Sequence, residues 1–69
     1  MNTIDSHRFV IYITEGPTRF YLRDWIVSDR DVNLTFATMR RYAMTFPSLK
    51  VASHYRLKML EMGYHPHIE

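Results

Sequence analysis

Apolar and polar residues alternate with a period of two through residues 8 to 14, Arg-Phe-Val-Ile-Tyr-Ile-Thr, where Phe9, Ile11 and Ile13 fall on one side. β-Branched and aromatic side chains suit a pleated surface, so the run is predicted to be a strand. Glu15-Gly16-Pro17-Thr18 follows, and it is turn chemistry: glycine permits positive φ, while proline fixes φ and lacks a donor. Residues 19 to 25 then complete a β-hairpin, with Phe20 and Leu22 on one face and Tyr21, Arg23 and Trp25 displayed on the other.

Beyond the polar loop Ser28-Asp29-Arg30-Asp31 the pattern forks. Val32-Asn33-Leu34-Thr35-Phe36 alternates as a half-buried strand does, yet Val32, Phe36, Met39 and Ala43 also recur at helical spacing. A strand over 32 to 36 followed by a short helical turn over 39 to 44 is the preferred reading, and one helix over 31 to 44 is the alternative. Phe46-Pro47-Ser48 then supplies a break and a capping hydroxyl, and Leu49 to Met62 is predicted to be helical up to Gly63, where a left-handed cap is expected. On a helical wheel Val51, Met62, Tyr55, Met59, Ala52, Leu49 and Leu60 make one apolar arc, with Lys50, His54, Lys58 and Glu61 opposite. Arg56 is the one charge inside that arc. Its stem is expected to run along the core edge to water or to a carboxylate, with Asp24 the favoured partner; the alternative leaves it uncovered to bind a phosphate or an acidic residue. The tail, Tyr64-His65-Pro66-His67-Ile68-Glu69, suits an edge strand or an extended end.

The predicted fold is therefore α+β, a small antiparallel sheet in the order β-β-β-α-β with one main helix packed on one face. With 69 residues there is one domain, 1 to 69, and 46% hydrophobic residues are enough for one core. No cysteine is present, which removes disulfides, thiolate metal sites and a thiol nucleophile. No apolar run approaches the ~20 residues of a membrane span. Met1-Asn2-Thr3-Ile4-Asp5 carries no leader pattern, so a cytoplasmic protein is expected.

The net charge of +2 is modest, but it is unevenly spread. Residues 32 to 60 hold Arg40, Arg41, Lys50, Arg56 and Lys58 and no acid. Tyr42, Phe46 and Tyr55 are interleaved with them, a mixture that serves phosphate pairing and base stacking and equally serves an acidic protein surface. Leu57 lies amid Lys50, His54 and Lys58 on the polar side of the predicted helix and completes a candidate partner-facing patch. With only Gly16 and Gly63 there is no phosphate loop, and no His-Glu pair stands at the spacing of a zinc hydrolase. His65 and His67 are too few to hold a metal alone. A non-enzymatic protein without cofactor is expected, with a small hydrolase or nuclease using a lone histidine as the competing class.

The hairpin ending in Trp25, the run Ala43-Met44-Thr45-Phe46-Pro47-Ser48 leading into a helix with Ala52, and Met62-Gly63-Tyr64 before a last short strand together resemble a group of small phage and prophage accessory proteins. That resemblance implies binding to a host protein or nucleoprotein complex, including restriction and CRISPR components. The segment Val32 to Met39 departs from the group by lengthening the connection after the tryptophan. A direct nucleic-acid binder is the alternative; the one-helix reading of 31 to 44 would make it an imperfect helix-turn-helix. An uncovered aromatic sheet face also suits a homodimer.

Overall fold

Gly16, at φ +61°, and Pro17 close a two-residue turn in which Glu15 faces Thr18. Positive φ followed by proline's fixed negative φ is the sign pattern of a type II′ turn, whose twist matches that of the strands it joins. In the computed structural model, which describes residues 8–69, this turn links β1 (Ile11–Glu15) to β2 (Thr18–Val27). The N-terminal residues from which the absence of a leader is read lie outside the described residues. β3 (Val32–Ala37) pairs antiparallel with β2, so the strand reading of this segment holds and the one-helix reading does not. A 3-10 turn at Arg40–Tyr42 follows within the predicted helical stretch.

The main helix, α1 (Leu49–Glu61), begins where Ser48 Oγ accepts the Val51 amide at 3.2 Å. It ends in a Schellman motif: Gly63, at φ +99°, donates to the Leu60 carbonyl and Tyr64 to that of Met59. Both caps are those the sequence predicts. The chain then returns as β4 (His67–Ile68), antiparallel to β1, giving the order β3-β2-β1-β4. The tail is thus a paired edge strand. Among the described residues no helix is long and apolar enough to cross a membrane.

Ile11, Leu22, Phe46, Ala52 and Met59 form the buried core between α1 and the sheet. Helix burial is narrower than the wheel suggests. Only Ala52 and Met59 of α1 are buried and Tyr55 half so, while Leu49, Val51, Leu60 and Met62 are exposed. The long axis of the molecule is 42 Å and its thickness 17 Å, so a single helix on a four-stranded sheet leaves both of its own flanks uncovered.

A bulge in β2 overturns the predicted face of Trp25. Leu22 faces Phe36 and Asp24 faces Thr35, leaving Arg23 as an extra residue. Parity shifts by one there, and Trp25, opposite Leu34, turns to the helix side and meets Tyr55 edge-on at 4.9 Å. Asp24 turns to the far side, where its Oδ2 accepts the Thr35 hydroxyl at 2.7 Å. It is therefore not the partner of Arg56, whose Nε donates to the Pro66 carbonyl at 3.2 Å. Arg56 thereby ties the helix to the chain entering β4. Arg56→Met keeps the stem and loses this one bond at a site open to water, so urea denaturation should show a loss of about 1 kcal/mol.

Candidate functional site

The sheet face away from α1 carries a row of side chains set by strand register. Tyr21 of β2 faces Tyr12 of β1, and Tyr12 faces His67 of β4. The Tyr12 ring lies 5.8 Å from that of Tyr21 and stacks on His67 at 5.1 Å and 28°. Arg19, two residues before Tyr21, shares this face and sets its guanidinium carbon 4.2 Å from the Tyr12 ring centroid. Cross-strand aromatic neighbours with a cation over one ring stabilise the pairing modestly and fix where the guanidinium sits.

The connection from β3 to α1 crosses this same face. It leaves β3 on one side of β2 and reaches the other side, where the Met44 amide donates to the Leu22 carbonyl at 2.9 Å and Phe46 bridges to Phe9. On the way Arg40 Nε comes within 3.4 Å of Glu69, whose other oxygen is 3.3 Å from Arg19. Hydrogen bonding with Tyr21 raises the pKa of Arg19 above its ordinary value against an opposing desolvation, with smaller electrostatic support from Tyr12, Tyr21 and Glu69. The crossing covers Tyr21, which is 8% exposed, so this residue supports the surface from beneath and is not displayed as predicted.

Tyr42 lies at the top of the crossing. The residue is 51% exposed, with the guanidinium carbons of Arg23 and Arg41 at 5.6 and 5.2 Å from its ring centroid. Arg41 also donates to the Met39 sulfur at 3.2 Å, and Arg23 lies 3.9 Å from Asp24. The far face therefore gathers Arg19, Arg23, Arg40 and Arg41 around Tyr12 and Tyr42, against Asp24 and Glu69.

The residues predicted as one partner-binding set divide between two opposite faces. Lys50, His54, Leu57 and Lys58 are all exposed on the outer side of α1, as the wheel places them, while Arg40 and Arg41 belong to the far face with Arg23. Arg56 is committed to Pro66, and Trp25 lies on the helix side. Tyr12, Arg19 and His67 are the far-face members that sequence reasoning missed, whereas Tyr42 stands out in the sequence as an aromatic interleaved with the basic residues. The shared parity of Tyr12, Arg19 and Tyr21 about the Gly16-Pro17 turn was the available signal for the first two. Among the described residues no three metal-ligating side chains stand together.

Compared with protein-family models, with curated proteins and with solved structures, the chain matches none.

Proposed function

We propose that this chain is a small non-enzymatic binding protein, encoded by a mobile element, that attaches to a host protein or nucleoprotein complex in the host cytoplasm and inhibits or modulates it. The contact is made by the arginine and tyrosine surface of the far face. The observation that carries this reading is Tyr42, half exposed and held between Arg23 and Arg41. Tyrosine and arginine are enriched among the residues that dominate binding energy, because a rigid ring and a planar guanidinium lose little freedom on contact. A ring already flanked by two guanidiniums has lost part of that freedom in the free protein. The mobile-element assignment and the choice of a host target rest on the sequence resemblance.

A second reading uses the same face for single-stranded nucleic acid, and the Tyr12–His67 stack beneath Arg19 favours it, since bases stack on such rings and phosphates pair with arginine. The helix-turn-helix form of that reading falls with the one-helix assignment.

Affinity capture from host lysate tests the two together. A single protein complex retained by the wild type should be lost with Tyr42→Ala/Arg41→Glu, an affinity fall of about 2 kcal/mol or roughly thirtyfold, without a change in melting temperature. Lys50→Glu/Lys58→Glu, on the opposite face, should retain it. Retention by the far-face variant and loss by the helix variant would transfer the function to α1. Salt-sensitive binding of single-stranded oligonucleotide, weakened by Tyr12→Ala, would establish the second reading instead.

A further inference from the structure

The outer edge of β3 is built differently from the other edge of the sheet. β4 is two residues long and is entered through Pro66, so it offers little backbone for another strand to pair with. β3 runs for six residues, about 20 Å, and Val-Asn-Leu-Thr-Phe-Ala contains no charge, proline or glycine. Its bulge lies in β2, which leaves β3 itself regular. Among the described residues nothing pairs with its outer side. An edge with none of the usual protections pairs readily with a further strand.

The apolar surface beside this edge is continuous with it. Val27 and Val32, which face each other at the end of the ribbon, are 69% and 38% exposed. Leu34 and Phe36, on the same side as Val32 by alternation, are only half covered by α1 and its neighbours.

We propose that β3 is a dimerisation edge, on which a second copy of this chain adds antiparallel to make one eight-stranded sheet. The strand is self-complementary about Leu34. In that register Leu34 meets its own copy and Val32 meets Phe36 on the helix side, while Asn33 meets Thr35 on the far side, so every pair joins like faces. The flanking charges select the same arrangement. Asp29 and Asp31, with Arg30 between them, precede the strand, and Arg41, exposed beside Met39, follows it, so an antiparallel copy brings each acidic end toward an arginine, while Arg40 is turned away to Glu69. A strand from a different protein would meet no such match of both sequence and charge. The far-face arginine and tyrosine surface would then be displayed twice, related by the two-fold axis.

Sedimentation equilibrium of the full chain tests the assembly, and cysteine pairing tests the register. The wild type should sediment at twice its 8.3 kDa chain mass at roughly tens of micromolar protein. Asn33→Lys/Thr35→Lys sets like charges opposite each other and should weaken the dimer by about tenfold or more, whereas Asn33→Glu/Thr35→Lys should keep it. Both positions are exposed, and melting curves of the variants confirm that each still folds. The chain has no cysteine of its own, so mixing Asn33→Cys with Thr35→Cys should give a disulfide-linked heterodimer in excess over either homodimer. A monomer at every concentration up to about 1 mM, or a dimer equally stable in the double lysine variant, overturns the proposal. Homodimeric cross-links prevailing over the mixed one would overturn the register about Leu34.

Discussion

Ala52→Glu is expected to leave the chain unfolded at 25 °C, with a far-ultraviolet spectrum lacking the helix and no cooperative melting. Ala52 is 0% exposed at the centre of the α1 contact, among Ile11, Leu22, Phe46 and Met59. A glutamate there faces two costs. Extra side-chain volume in a packed core costs about 1–3 kcal/mol, and an unpaired buried carboxylate costs several more. A domain of this size has roughly 3–10 kcal/mol of stability to lose. Arg56, one turn further on, is the cation stacked next to this position on the same side of the helix, but its Nε is committed to the Pro66 carbonyl and drawing it away would loosen β4. Ala52→Gln separates volume from charge: it should be destabilised yet retain a measurable transition. A folded Ala52→Glu variant with an unchanged midpoint would mean that α1 presents a different face to the sheet.

Local chemistry made much of this architecture legible. The turn at Gly16-Pro17, the Ser48 cap and the Gly63 cap each depend on one or two residues and their immediate backbone, so the hairpin and α1 could be placed from sequence. β3 was separable from a helix because Asn33 and Thr35 interrupt its apolar positions at every second residue. The bulge at Arg23 had no such signature, since no glycine marks it, and it reversed the faces of both Asp24 and Trp25. One unpaired residue thus removed the expected partner of Arg56 and turned the expected display tryptophan toward the helix side. The predicted apolar arc of α1 failed for a different reason: how much of an amphipathic face is buried depends on the width of the sheet beneath it, and that width is not written in the helix.

The candidate site was half legible for the same kind of reason. Arg40 and Arg41 stood out as a basic pair, and Lys50, His54 and Lys58 as another group on one helix side. Whether that pair and that group share a surface depends on the path between β3 and α1. That path crosses the face opposite the helix, so the arginines of the 3-10 turn join Arg19, Arg23 and Tyr12 instead of the lysines. Long-range strand order, and no local property of residues 38 to 46, decides which charges share a surface.

Phe46→Ala should cost about 3–5 kcal/mol by urea denaturation, enough to remove most of the stability of a chain this small. Phe46 closes the crossing in two ways. Its backbone exchanges hydrogen bonds with Phe9 at 3.0 and 2.8 Å, and its ring, 2% exposed, sits in the core 5.0 Å from the Tyr55 ring. Alanine keeps the backbone bonds available and removes the ring, leaving a cavity beneath α1 that Tyr55 and Met59 cannot both fill. Phe46→Leu keeps most of the apolar volume and should therefore recover more than half of the loss. Hydrogen exchange separates the two contributions: in the leucine variant the amides of Phe9 and Phe46 should stay protected to the level of the remaining global stability. If those two amides exchange freely while α1 remains protected, the ring and not the backbone bridge holds residues 44 to 46 beside β1. If leucine is as damaging as alanine, shape at this position matters more than buried apolar area, and the aromatic contact with Tyr55 carries the difference.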